Sequence, residues 1–326
     1  MLISVVTSRN SPGASTTALA LTMAWPRPAI LAECDPRGGD VQWGLARGEN
    51  IGSAGLLRLQ LAARRNQPMS ESVWEEVVAL PGVGGDDVQK YWLPGLLNPR
   101  EAGSIDWVGV ARALSASGVD VIADCGTVFG DPVRAPRAIW NSADVVVLPV
   151  RSTMLGVRIG QIAASVLQAD LMLAGMGADR LGSVVVQAPG GYPTKQVAAE
   201  LEATAPMLRS LPDDPVAAQQ LAGFNPLGKR FSRTPLMKAA AELAQVLGAR
   251  GESVEALSPS TASTSIPAPA LTMSAPAPQP PVGPSSATSA RPRTAAKQPS
   301  VEVKTLTGAV PQIAAPPSKT SEGASR

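Results

Sequence analysis

"MLISVVTSRNSPGASTTALALTMAW" (1–25) decides how the rest of the chain is read. A β-branched run, Ile3-Ser4-Val5-Val6-Thr7, meets a small polar turn, and a helix-like stretch follows from Ser15 to Trp25. Strand, loop and helix in that order are the layout of a phosphate-binding loop, where main-chain N–H groups and the helix dipole attract an anion. The usual pattern, G-x-x-x-x-G-K-[ST], would put Gly at Ser8 and Lys at Ala14. Gly13 and Ser15 do fall on it: Gly13 can take backbone angles closed to other residues, and Ser15 stands where a hydroxyl would ligate Mg²⁺. Pro12 removes one N–H donor and stiffens the turn. The main-chain donors survive the loss of a lysine side chain. Taken alone, the turn also reads as simple helix capping.

Composition narrows the chemistry. The 326 residues are 44% apolar, enough for a buried core, and the net charge of +2 argues by itself for neither nucleic acid nor membrane. There is no histidine, which excludes Ser-His-Asp and Cys-His hydrolases and imidazole-ligated zinc. Two cysteines, Cys34 and Cys125, build no disulfide framework and fit a reducing cytoplasm. No apolar run is long enough for a transmembrane helix, and the first residues lack the pattern of a signal peptide.

The body, 1–257, alternates. Strand-like runs lie at 2–7, 29–33, 119–124, 144–150 and 182–188, with helical stretches at 15–25, 53–65, 70–79, 104–117, 154–174, 193–204, 215–222 and 235–248. Near-continuous Val/Ile/Leu strands separated by helices imply a doubly wound α/β domain with a mostly parallel sheet, whose ligands sit beyond the strands' C-terminal ends. From Ser258 to Arg326 the composition shifts to Pro, Ala, Ser and Thr, with 13 prolines and no aromatic residue. Such a segment is expected to be a disordered, basic tail, carrying Arg291, Arg293, Lys297, Lys304, Lys319 and Arg326 against Glu302 and Glu322.

Two further strand ends carry acids. "AECDPRGGD" (32–40) clusters Glu33, Asp35 and Asp40 around a Gly-Gly turn; a cation would relieve that clustering, and a solvated polar loop would explain it as well. "VDVIAD" (119–124) ends at Asp124, where a P-loop protein places a Mg²⁺-linked carboxylate.

Together these segments resemble the ParA/MinD family of P-loop ATPases, whose loop reads K-G-G-x-G-K-[ST]-[ST]. The resemblance spans about 1–250. On that pattern "RNSPGAST" puts Arg9 at the signature lysine that reaches the partner's nucleotide across a dimer, Asn10 and Ser11 at two glycines and Ala14 at the P-loop lysine, while Gly13, Ser15 and Thr16 match. "LAECDPRGG" resembles the switch I segment D-x-D-P-x-G, with Glu33 for its first acid and Asp35 for the second, which helps position the attacking water. "VDVIADCGT" resembles the Walker B strand, with Asp124 as its aspartate and Gly126 offering an N–H to the γ-phosphate. Gln187 falls where the family has an adenine-contacting Asn, and "LPDDP" (211–215), with Pro212, resembles the closing loop beside adenine.

The resemblance implies bound ATP and Mg²⁺, with Ser15, Asp35 and Asp124 around the metal, a homodimer, and a positioning role for DNA or for a pilus, secretion or other cell-envelope machine. Loss of the P-loop lysine implies binding weakened by roughly 30- to several-thousand-fold, and hydrolysis weakened further because it depends on stabilising developing charge. A scaffold acting only through protein contacts stands as the alternative. Lys229, Arg230, Arg233 and Lys238 form the densest basic cluster of the body and suit nonspecific DNA. The proline-rich end lacks the amphipathic helix of a membrane anchor.

Overall fold

The computed structural model describes residues 1–8, 13–48, 54–65, 67–80, 88–130 and 135–257. Its strands are β1 (Leu2–Thr7), β2 (Ala29–Glu33), β3 (Val78–Ala79), β4 (Lys90–Leu93), β5 (Asp120–Thr127), β6 (Val145–Arg151), β7 (Leu181–Val186) and β8 (Met207–Leu211). They form one sheet in the order β3-β4-β2-β5-β1-β6-β7-β8, parallel throughout except for the β3–β4 pair. The helices are α1 (Ala14–Ala24), α2 (Leu56–Arg64), α3 (Met69–Glu76), α4 (Trp107–Ser115), α5 (Arg137–Ser142), α6 (Met154–Leu173), α7 (Thr194–Leu201), α8 (Pro215–Leu221) and α9 (Pro235–Leu257).

Alternation along β1 explains why helices cover both faces. Leu2 and Val6 pack into a cluster with residues of α4, α5, α6 and α7, whereas Ile3 and Val5 pack into a second with α1, α8 and α9. β1 therefore runs buried through the middle of the sheet, with β5 and β6 on either side. That placement brings the loop after β1 beside the ends of both neighbours, where an open α/β sheet presents its ligands.

The long apolar strands fall close to where the sequence puts them, except that β5, expected to end at Asp124, runs on to Thr127; three short strands are additions. The stretch predicted as helix 70–79 is a correction: α3 stops at Glu76, and Val78–Ala79 pair antiparallel with Tyr91 and Trp92 of β4. The β-branched pair Val77-Val78 is stiff in a helix, and the neighbouring strand offers it ladder bonds instead. The stretch predicted as 104–117 shortens to α4, because Asp106 accepts from the Gly109 N–H and fixes its start. α5 was not foreseen. Residues 258–326, expected to form a disordered tail, lie outside the described residues.

Cys34 and Cys125 are fully buried, and burial raises both thiols well above their ordinary range. That is the setting of inert cysteines. No helix among the described residues is long and apolar enough to cross a membrane.

Candidate functional site

Of the loop after β1, Arg9, Asn10, Ser11 and Pro12 lie outside the described residues. Gly13 ends the loop as the N-cap of α1, at φ 133° and ψ −10°, a backbone region that disfavours any side chain. The Thr17 N–H donates to the Gly13 carbonyl at 2.7 Å and so closes the first turn. Ala14 is buried against the core, while Ser15 is exposed and Thr16 half-buried. At the root of the loop Thr7 is buried, with no hydrogen-bond partner for Oγ1 among the described residues.

Asp124 pairs across the sheet with Val5 on one side and Glu33 on the other. Its buried carboxylate accepts from the Ser15 hydroxyl and from the Gly126 N–H, the latter at 3.1 Å. Burial pushes its carboxyl up to about 6; those two hydrogen bonds oppose the rise, and the charges of Asp35 and Glu33 add to it. A cation at this point would stabilise the ionised form. The Ser15–Asp124 pair therefore fits Mg²⁺. Among the described residues no group of three or more acidic, Cys or His side chains makes a ready metal cage. Mg²⁺ is commonly held by one or two protein groups together with phosphate oxygens and water, so the pair suits an ion that arrives with a nucleotide.

The other acids are committed elsewhere. Asp35 accepts from the Arg37 main-chain N–H at 2.8 Å, and both its oxygens accept from the Arg37 guanidinium, the shortest contact being 2.6 Å. The main chain of Gly126 lies directly against the Asp35 carboxylate. The Gly126 N–H, expected to point at a γ-phosphate, is turned instead onto Asp124. Glu33 is a structural clamp: it accepts from the Asp40 N–H at 2.8 Å, the Val41 N–H at 2.9 Å, the Gly95 N–H at 3.1 Å and Trp92 Nε1 at 2.7 Å. Four donors on one buried carboxylate leave it no free lone pair to offer a metal.

The first turn of α1 stands between two clefts, and Thr16 lines both. The larger, about 430 Å³, has Ser15, Asp124 and Asp40 on its polar side and Leu19, Leu31, Leu221, Trp43 and Phe224 on its apolar side. The smaller, about 120 Å³, is bounded by Gly13, Thr17, Arg151, Val186, Pro212 and Asp213. Pro212, expected beside adenine, lines this smaller cleft. Gln187 is exposed just past β7 and lines neither cleft; its N–H donates to the Leu211 carbonyl at 2.9 Å. Trp43, Phe224 and Arg151 were not singled out from sequence. The two aromatics are 69% and 79% exposed, which no periodicity announces. Lys229, Arg230, Arg233 and Lys238 are all exposed around the start of α9.

The chain matches no family model and no curated protein. Solved structures do share its fold. The septum site-determining protein MinD of Pyrococcus horikoshii, complexed with Mg-ADP, is similar at TM-score 0.58 and 17% identity, over 76% of this chain and 95% of that one. A ParA family ATPase from Chlorobium tepidum aligns at TM-score 0.57 and 14% identity, over 75% and 98% respectively. A chain of the MinC:MinD cell division protein complex of Aquifex aeolicus aligns at TM-score 0.55 and 14% identity, over 76% and 96%. The architecture is that of the ParA/MinD P-loop ATPases, carried on a very different sequence.

Proposed function

We propose that this chain is a ParA/MinD-like positioning protein that binds a nucleotide with Mg²⁺ through its main chain and through Ser15 and Asp124. The observation that supports this best is the Ser15 hydroxyl resting on the buried Asp124 carboxylate at the first turn of α1. The two residues come from distant parts of the chain, and a capping turn would need no such acid beneath it. In this reading Gly13, Ala14, Ser15 and Thr16 cradle the phosphates, with Arg9, Asn10, Ser11 and Pro12 completing the loop. Pro212 flanks the base, and Gln187 reaches it by a side-chain rotation. Asp35 orients water once Arg37 releases it. ATP supplies the phosphates and Mg²⁺ neutralises them.

Ala14 cannot make the charge-assisted hydrogen bonds of a lysine, so binding is weak and hydrolysis slow or absent. The protein works in the cytoplasm as a nucleotide-linked homodimer, with Arg9 crossing the interface. It places DNA or a pilus, secretion or other envelope machine through a protein partner. The second reading, a scaffold acting by protein contacts alone, is favoured by Ala14 and by the commitment of Asp35 to Arg37.

Titration with a fluorescent ATP analogue, with and without Mg²⁺, separates the two when dimerisation is followed by light scattering. Mg²⁺-dependent binding and dimerisation that Asp124→Ala abolishes support the nucleotide reading. Absence of binding at about millimolar ATP, the range in which the site is expected to work, eliminates it.

A further inference from the structure

We propose that Arg151 supplies the phosphate-binding charge that the loop lost at Ala14, and that it grips the α- and β-phosphates of the nucleotide. The inference rests on the nucleotide reading above and adds the residue that makes it chemically workable.

Arg151 is the last residue of β6, the strand beside β1, and it pairs with Val186 at the end of β7. It therefore reaches the loop from the neighbouring strand end, far away in sequence. It lines the smaller cleft together with Gly13, Thr16 and Thr17, the residues of the first turn of α1. Main-chain N–H groups at that turn, with Arg151 lining the same cleft, could make a two-sided anion cradle.

The second observation is its lack of a partner. Arg37, Arg137 and Arg209 pair with Asp35, Asp170 and Glu242, and Arg180 donates to the Ala143 carbonyl. Arg151 is half-buried, yet among the described residues its guanidinium has neither ion pair nor hydrogen bond, its main chain alone joining the β6–β7 ladder. Water hydrates the part of this guanidinium that stays exposed, and a ligand phosphate would add charge-assisted hydrogen bonds to it. The neighbouring acids do not compete for it. Asp214 accepts from the Ala217 and Leu236 N–H groups, and exposed Asp213 on the opposite wall forms no ion pair among the described residues. That carboxylate is suited to accept from a ribose hydroxyl.

The stem of Arg151 is held in place. The Ser152 N–H donates to the Val186 carbonyl at 2.9 Å, and the first turn of α6 packs onto the Arg151 main chain at Gly156, where any side chain would collide. A positioned stem limits the entropy lost when the fork closes on a ligand.

The location also says which phosphates are held. Arg151 lines the cleft of Pro212 and Val186, on the base side of α1, whereas Ser15 and Asp124 line the other cleft, on the metal side. A cation on the base side meets the α- and β-phosphates, which ADP and ATP share. The lysine missing from position 14 would have served the β- and γ-phosphates.

The test is the affinity of the full chain for fluorescent ATP and fluorescent ADP, each with Mg²⁺, in wild type, Arg151→Ala and Arg151→Lys. Arg151→Ala is expected to weaken both nucleotides by the same factor, about 10- to 100-fold, the loss typical of a hydrogen bond to a charged group. Arg151→Lys is expected to recover most of that loss, and the ligand-free melting temperature to stay unchanged in both variants. Binding by wild type with no loss in Arg151→Ala, or a loss confined to ATP, overturns the assignment and leaves the nucleotide reading standing. Wild type that binds neither nucleotide ends both. A fall in Arg151→Ala that Lys does not rescue, together with a lowered melting temperature, makes Arg151 structural and overturns the proposal.

Discussion

Asp35 and Gly126 meet so closely that a methyl group on Gly126 would lie inside the Asp35 carboxylate. Gly126 also holds φ 66°, where an L side chain is strained. Gly126→Ala is therefore expected to push Asp35 off Arg37 and to destabilise the fold by about 1–3 kcal/mol. Urea melts check the stability, and Mg²⁺-dependent nucleotide binding, where wild type shows it, should fall in the same variant.

Glu33 carries the largest expected effect on folding. Glu33→Ala would strand four buried or half-buried donors, from Asp40, Val41, Gly95 and Trp92. The expected cost is about 3–5 kcal/mol, visible as a lower urea midpoint with little change in slope. Glu33→Gln keeps the volume but turns an NH₂ group toward N–H donors, so it should recover only part of the loss. If Glu33→Ala leaves stability unchanged, the clamp is not what holds the loop.

Asp120 governs the pH dependence at the opposite end of the sheet. Its burial would raise the carboxyl, but hydrogen bonds from Trp25 and Arg27 and the charge of the N-terminal ammonium hold it below the ordinary carboxylate range. A value lower in the folded than in the unfolded chain adds stability that is complete above the unfolded value and is lost as pH falls through the folded one. Asp120→Asn should cost about 3 kcal/mol near pH 7, with the gap to wild type closing as pH falls below the ordinary carboxylate range. Melts across that range test the sign: a gap that widens on acidification contradicts it.

Ala14→Lys restores the side chain that the loop lacks. It is expected to tighten fluorescent ATP binding by at least about 10-fold, measured by the same titration. Unchanged affinity would mean that the register of the loop on the family pattern is wrong.

The exposed cluster of Lys229, Arg230, Arg233 and Lys238 offers a footprint for phosphates. Replacing all four with Ala should weaken any gel shift of plasmid DNA. It should also flatten the salt dependence of binding by about one unit of slope per charge removed. A shift that persists with the same slope places the DNA surface elsewhere.

How legible the molecule was follows from what each segment buries. β1, β2 and β5–β7 are buried through nearly their whole length, so unbroken Val/Ile/Leu runs declare them. β8, "MLRSL", sits at the sheet edge with alternating exposure, and its arginine and serine disguise it. β4 opens on a buried lysine whose ammonium donates to the Arg27 carbonyl, an arrangement no local pattern encodes. At the site, Ser15 and Asp124 stand out by a loop spacing and by an acid closing an apolar run, although β5 continues past Asp124 to Thr127. Glu33 was grouped with the metal-side acids, since a lone carboxylate in a sequence does not reveal the four donors waiting for it. Arg151 escaped because its relevance lies in strand order, which brings β6 beside β1 across more than a hundred residues.

The short helix α8 has a mechanical consequence. Pro215 and Ala218, toward its N-terminal end, face the smaller cleft, and Leu221 with the following Ala222–Phe224 faces the larger. Past its C-terminus, Gly223 abuts Gly44, in the loop that carries Asp40. A rod of two turns thus spans from the smaller cleft to the loop that carries Asp40. Because this one rigid element borders both clefts, a substitution in α8 would be felt in each of them.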